Sequence, residues 1–420
     1  MFNASTVRSR SNFSAGAALL LLIAAACLAL RILHVVAKFR GNAPDAFGDF
    51  NFYLYAFNVV LHDPARLYDH EALVAFLQGM GARSTGDDVF YAYPPQFALV
   101  FAPLALLTPL AAKIVWVSVS VVLFAVGVYL VIRMAYRGGE RGVDLLLVAV
   151  VLLSFPLVED TYDGQSNELL FFLLVATFAL IERGKGYTAG LFLGFAMAIK
   201  LTPLAVAGLL LLRREWRTFV MASVVAIALT LITGARLGFD VLWHYFVSDM
   251  PRLNSMALAM SGGGAPMNNA LRGALQTLSA TLGMPMSAAL LSFVSHALVL
   301  AACVLSAYLV FRRHRDRRID YALAAMTMLI AYPILEPIHM VLALLPLLIL
   351  LGTAFEARGG QLSALGPRLE MLLAAVVVVL LFFAAKFVSY TVAALIIYAL
   401  CVARYFPPAA VARQQHAYTG

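Results

Sequence analysis

Long, nearly unbroken apolar stretches such as 110–133 and 288–311 dominate this chain, and its charges crowd into the short segments between them. A stretch of that length crosses the roughly 30 Å hydrocarbon core of a bilayer as a helix. Within lipid, every backbone N–H and C=O must be paired inside the spanning element, so only helices or a closed barrel qualify. The apolar positions run on without alternating, which excludes a barrel. With 63% of residues hydrophobic and 12% charged, against roughly 25% charged in a soluble domain, the chain reads as an all-α polytopic membrane protein of about 12 transmembrane helices.

The basic clusters set the orientation. Arg133 to Arg141, Arg213 to Arg217 and Arg312 to Arg318 all fall in short loops, where an excess of Lys and Arg marks the cytoplasmic side. No basic domain stands apart from the spans, which argues against nucleic acid as a partner. The first span, 15–37, reads as a retained helix. A large external loop, 38–90, follows, with short amphipathic helices at 50–61 and 70–79. The aromatics Phe50, Phe52, Tyr53, Tyr55 and Phe57 suit the headgroup level there.

Prolines 94, 95, 103 and 109 break the next apolar run into a short helix at 92–107 and a span at 110–133. Spans at 143–157 and 167–182 flank an external turn. The stretch 187–212 carries Lys200 at its centre, a costly placement for a single span. Two half-helices with Lys200 at their outer tip avoid that cost. A span at 217–235 completes a seven-span core module, 1–287, with a second external loop at 236–287. That loop holds the Gly-rich run 261–266, flexible enough to act as a lid. Spans near 288–311, 319–334, 338–354, 369–383 and 387–405 form a C-terminal module, 288–405, and 406–420 is a cytoplasmic tail. This topology is drawn from the basic loops, the prolines and the cost of burying Lys200, and it brings the unexplained polar residues to one external face: Asp45, Asp49, Tyr93, 159–167, Lys200, 268–272, Glu336 and His339.

Asp49 follows the first span and is ringed by aromatics. A carboxylate there can take the proton of an attacking hydroxyl; equally, Asp is a favoured N-cap for the helix starting near Phe50. Lys200 can bind a phosphate as a point charge or snorkel to the interface. His339, next to Glu336 and Pro337, can move a proton or hold a phosphate oxygen, or serve as an interfacial hydrogen-bonding group. Gln165, Asn167, Asn269 and Arg272 supply amides and a guanidinium for sugar hydroxyls or phosphate, or cap helices. Asp45 and Asp49 are four apart, too few carboxylates to argue for a metal, and Cys27, Cys303 and Cys401 show no pairing or metal spacing. No P-loop or GxGxxG occurs, which argues against a nucleotide-borne donor.

Taken in order, Asp49 to Ala56, Leu67-Tyr68-Asp69, Tyr91-Ala92-Tyr93-Pro94-Pro95, Gly164-Gln165-Ser166-Asn167, Gly190 and Gly194 leading to Lys200-Leu201-Thr202-Pro203, Asn268-Asn269-Ala270-Leu271, and His339 resemble glycosyltransferase family 87, the polyprenyl-phosphate-mannose-dependent α-1,2-mannosyltransferases. The resemblance covers about residues 30 to 350. It implies a GT-C membrane fold and a plasma-membrane location with the site on the extracytoplasmic side. It also implies an inverting transfer of a sugar, mannose in that family, from a polyprenyl phosphate to a lipid or glycan acceptor. Asp49 carries over as the general base, and Lys200 and His339 as donor-phosphate contacts; Arg272 adds a guanidinium for the leaving phosphate on its own chemistry. Asp45, Tyr53, Tyr93, Gln165, Asn167, Asn269 and Glu336 are the side chains on the same face expected as sugar or acceptor contacts. No metal or cofactor is implied beyond the donor itself. Asn268-Asn269-Ala270-Leu271 departs from the family's Asn-Gln-Ser-Leu, which leaves the acceptor open. The competing reading is a transporter or flippase, which asks for ionisable residues at mid-membrane and repeat symmetry; neither stands out in the sequence.

Overall fold

A computed structural model describes residues 4–41, 48–81, 90–252, 255, 268–314, 316–357, 363, 365–382 and 389–406. Asp45, the Gly-rich run 261–266 and the tail from 407 lie outside the described residues. The described chain is helical: α1 Ala4–Gly41, α2 Phe50–His62, α3 His70–Gly79, α4 Pro95–Phe101, α5 Pro109–Ala135, α6 Arg141–Leu152, α7 Phe155–Asp163, α8 Asn167–Glu182, α9 Gly186–Ile199, α10 Leu204–Leu212, α11 Trp216–Leu237 and α12 Phe239–His244. After the second loop come α13 Leu271–Thr281, α14 Ala288–Arg312, α15 Arg317–Ile330, a 3-10 segment Pro337–Ala343, α16 Leu344–Glu356, α17 Pro367–Phe382 and α18 Ser389–Ala403.

Five of these elements are long and apolar enough to cross a membrane, and a sixth counts if α6 and α7, bent by 54°, form one broken span. The protein is thus a multi-pass membrane protein. α11 and α14 turn Ile227, Leu231, Phe293 and Leu300 outward, each more than half exposed. Such a surface would be a liability in water and is the natural one against lipid. By contrast α15 is buried from Arg318 to Ile330, and α16 from Leu344 to Thr353. These two short helices form the centre around which the longer, lipid-facing ones pack.

The break at Lys200 falls where the cost of a buried mid-span lysine puts it, with α9 ending at Ile199 and α10 starting at Leu204. Two expectations are corrected. Residues 158–163 are the second half of α7 and not a turn, because Pro156 sits in the first turn of that helix and Gly164, at φ +66°, ends it. The aromatics of α2 do not line a membrane interface: Phe50, Tyr53, Tyr55 and Phe57 are at most 1% exposed. Phe50, Tyr53 and Phe57 pack among Phe97, Phe101 and Trp116, with Tyr53 and Phe97 ring centroids 4.9 Å apart. They build a rigid apolar wall behind the residue that precedes them, Asp49.

Candidate active site

Asp49 stands at the N-cap position of α2, yet its side chain caps nothing. The carboxylate is left to bind elsewhere, and it accepts a hydrogen bond from Gln165 Nε2. Gln165 is 6% exposed, and its Oε1 accepts from Tyr53 Oη at 2.6 Å and Tyr93 Oη at 3.1 Å. Two hydroxyl donors on the amide oxygen fix the amide's orientation, so its NH2 must face Asp49. Tyr93 Oη also lies 2.8 Å from Ser166 Oγ. The loop bearing Asp49 is pressed against the end of α7: a Cβ on Gly48, at φ +51°, would stand 2.7 Å from Asp163 Cα. Only glycine fits there. Burial raises the Asp49 carboxyl above the usual carboxylate range, while the Gln165 bond and the nearby Lys113 ammonium pull it back down.

A second group of polar residues lies beyond Tyr93. Lys200 Nζ donates to Asn167 Oδ1 at 2.9 Å and stands 5.3 Å and 5.4 Å from the ring centroids of Tyr93 and Tyr332. Asn167 Nδ2 donates in turn to Asp160 Oδ1 at 2.7 Å. Burial lowers the Lys200 ammonium to about 8, against the pull of Asp160 and Glu336. Glu336 is raised to about 7 by burial and by the neighbouring Asp49 charge, with Lys200 opposing. Glu336 opens the 3-10 segment in a reciprocal cap with His339, whose Nδ1 accepts the Glu336 backbone N–H at 3.0 Å. The His339 ring lies 4.9 Å from that of Tyr332, whose hydroxyl accepts from Thr202 Oγ1 at 2.9 Å. Because the 3-10 segment packs on α7 and α8, residues from both halves of the chain meet here.

The structure therefore brings Asp49, Tyr53, Tyr93, Gln165, Asn167, Lys200, Glu336 and His339 into one connected group. Gln165 and Asn167 are engaged with Asp49 and Lys200, so they position charged groups in this state. Asn269 is 1% exposed, and neither polar atom of its side chain has a partner; its backbone N–H donates to Leu335 O at 2.6 Å, which holds it beside the Glu336 turn. Arg272 stands at the start of α13 with its Nε buried and unpartnered. Sequence reasoning missed Lys113, and it placed Asp160 and Asp163 in the polar run 159–167 without giving them, or Glu168, a role. Lys113, 7% exposed, sits five residues into α5 and donates to Tyr162 O at 3.0 Å. Its signal was faint, a lone charge in the first turns of an apolar span, where a lysine ordinarily reaches the interface. Among the described residues no three His, Cys, Asp or Glu are grouped so as to hold a metal ion.

An acid-rich polar site with two lysines, walled by aromatics and set at one end of a membrane-embedded helix bundle, defines the class of this protein. The family model described as glycosyltransferase family 87 matches residues 91–333, and the chain belongs to that family. It is 28% identical to a polyprenol-phosphate-mannose-dependent alpha-(1-2)-phosphatidylinositol mannoside mannosyltransferase of Mycolicibacterium smegmatis, over 38% of this chain and 37% of the relative. It is 33% identical to a polyprenol-phosphate-mannose-dependent alpha-(1-2)-phosphatidylinositol pentamannoside mannosyltransferase of the same organism, over 33% of each chain. The matches thus span little more than a third of these curated relatives. No solved structure matches.

Proposed function

We propose that this protein is a membrane glycosyltransferase of GT-C architecture that moves a sugar, mannose by analogy with its relatives, from a polyprenyl-phosphate donor to a hydroxyl of a lipid or glycan acceptor at the extracytoplasmic face. The observation that carries the reading is the state of Asp49. Its carboxylate is free of the capping role its position offers, is held by one oriented amide, and is raised by burial towards the pH at which a base works best. The acceptor oxygen attacks the anomeric carbon as its proton passes to Asp49. The bond from that carbon to the phosphate oxygen breaks, and polyprenyl phosphate leaves with the bonding pair. One displacement of this kind inverts the anomeric centre. Family membership and the names of both relatives support the donor class.

The leaving phosphate asks for positive charge. Lys200 and His339 are the groups the family resemblance offers, Arg272 adds a guanidinium, and Lys113 is a further ammonium nearby. Which of them meets the phosphate depends on where the lipid chain lies. Asn269, with its unsatisfied amide, and Glu336 are assigned to sugar or acceptor hydroxyls.

The test uses purified protein in lipid nanodiscs with polyprenyl-phosphate mannose and a phosphatidylinositol mannoside acceptor. Wild-type protein is expected to form a mannosylated lipid, and Asp49→Asn to lose that activity by about two to four orders of magnitude while remaining folded. Full activity in Asp49→Asn removes Asp49 as the base. Movement of an unaltered lipid between leaflets, with no covalent product, would establish the flippase reading instead.

A further inference from the structure

The turn Gly164-Gln165-Ser166-Asn167 carries two buried amides that point in opposite senses. Two tyrosine hydroxyls donate to the Gln165 oxygen, so its NH2 meets Asp49. At Asn167 the order is reversed: Nδ2 donates to Asp160 Oδ1 at 2.7 Å, and Oδ1 accepts from Lys200 Nζ at 2.9 Å. The acid draws the amide hydrogens to itself and leaves the amide oxygen for the ammonium. Asp160 and Asn167 are both 0% exposed.

Asp160 also holds the start of α8, where its Oδ2 accepts the Glu168 backbone N–H at 3.2 Å. Capping that helix accounts for one oxygen; the other is given to Asn167. The charge of Asp160 follows from its donors. Glu168 lies close enough to act on it electrostatically, and two neighbouring carboxyls do not both ionise readily. Asp160 receives two N–H donors and faces the Lys200 ammonium, whereas Glu168 receives only the Thr161 hydroxyl and leaves Oε2 without a partner. The charge therefore stays on Asp160 and the proton on Glu168, because an unbonded carboxyl oxygen is far cheaper to bury neutral than ionised.

We propose that Asp160 is a positioning residue for the donor phosphate: through Asn167 it fixes the acceptor that aims the Lys200 ammonium, and its carboxylate keeps that ammonium charged. The inference rests on the reading of Lys200 as a phosphate contact. Among the described residues, the charged and titratable groups facing Lys200 are Asp160 from α7, Glu336 and His339 at the start of the 3-10 segment, and the phenols of Tyr93 and Tyr332. The phenols are neutral and carry no counter-charge. Glu336 shares the acidic load, but only Asp160 reaches Lys200 through a bonded amide. Before a donor arrives, burial works to strip the ammonium of its proton, and a resident carboxylate opposes that loss. The neutral amide between them keeps the carboxylate one residue back from the phosphate, which it would otherwise repel.

The test is binding of radiolabelled polyprenyl phosphate without a sugar, so that no turnover is needed, to the full chain in nanodiscs. The pH runs from about 6.5 to about 10, where the phosphate monoester keeps most of its second charge. Wild-type binding is expected to fall with a midpoint at about 8, where Lys200 loses its proton. Asp160 helps hold that proton, so removing its charge moves the loss to lower pH, and Asp160→Asn should shift the midpoint down by about one pH unit. Asn167→Ala leaves Asp160 its bond to the start of α8 and should shift the midpoint the same way, which decides the matter if Asp160→Asn does not fold. Lys200→Arg should abolish the midpoint, and adding Asp160→Asn to it should restore none. A midpoint that stays in place in both Asp160→Asn and Asn167→Ala, with binding weakened alike at every pH, makes Asp160 a helix cap and overturns the inference. So does a midpoint that persists in Lys200→Arg. Shifted midpoints in a protein whose wild type forms no mannosylated lipid count against the transfer chemistry and leave the link from Asp160 to Lys200 standing.

Discussion

Two buried charge clusters sit at opposite ends of the helix bundle and are built on different principles. At the basic-loop end, Arg318 is 5% exposed and saturated: it bonds Asp316 and Glu356 at 2.6 and 2.8 Å and the carbonyls of Met134 and Ala135 at 3.2 and 2.9 Å. Arg404 pairs with Glu370 at 2.8 Å, and Arg213 pairs with Asp320. At the other end, Asp49 receives a single side-chain bond, and atoms of Glu168 and Asn269 have none. Arg318, whose donors are met, ties α5, α15 and α16 together, although atoms of Arg213, Asp320, Glu370 and Arg404 at that end lack hydrogen-bond partners as Glu168 and Asn269 do at the other. The difference lies in charge balance: the basic-loop end pairs each buried guanidinium with a carboxylate, while Asp49 is held by a neutral amide.

That contrast is open to attack by exchanging the readouts. Asp49→Asn should cost two to four orders of magnitude in turnover and leave the melting temperature within a few degrees. Arg318→Ala should cost about 1–3 kcal/mol of stability by removing a buried guanidinium and leaving the partly exposed Asp316 and Glu356 carboxylates and two backbone carbonyls without their donor, seen as loss of folded protein on extraction. Activity retained per folded molecule in the second variant and stability retained in the first would uphold the division; the reverse pattern would dissolve it. Next in size, Gln165→Glu should lower turnover by about tenfold or more, because it replaces the donor facing Asp49 with a like charge. A variant that keeps wild-type rates means the amide does not orient the base.

The pH profile sharpens the same point. Asp49 must be ionised to take a proton, and its burial raises the pH at which that charge is lost. Activity should therefore fall on acidification from a point above the ordinary carboxylate range. Lys200, lowered to about 8, loses its charge as pH rises, so an alkaline limb should appear near there. Lys200→Arg, whose guanidinium does not deprotonate, should remove that limb from kcat/KM; a limb unchanged by this substitution assigns it to another group. Smallest of all, Tyr53→Phe removes one of two hydroxyls that fix the Gln165 amide and should cost only a few-fold, about the worth of one neutral hydrogen bond.

Much of the helical layout was legible from the sequence because prolines and charges end the apolar runs: the extents of α5, α8, α11 and α14 follow from them within a few residues. The break at Lys200 was legible from the cost of burying an ammonium. The surroundings of α2 were not, since the interior of the protein and the headgroup boundary both reward aromatics, and nothing in Phe50 to Phe57 separates them. Of the site, Asp49 and Lys200 stood out as charges in an apolar setting. Lys113 and Glu168 did not, because each sits near the end of a span, where a charge usually reaches the interface. Gln165 was read as a ligand for sugar, and its engagement with Asp49 depends on a contact 116 residues away, beyond the reach of local pattern.

The reciprocal cap at the start of the 3-10 segment has a consequence for turnover. With Nδ1 accepting the Glu336 amide, a neutral His339 carries its hydrogen on Nε2 and presents a donor outward. An imidazole in that tautomer cannot collect a proton at the face it shows without first surrendering the bond that shapes its own turn. The backbone thus fixes which hydrogen-bonding role the imidazole can present: His339 offers a donor at Nε2 for as long as its turn holds.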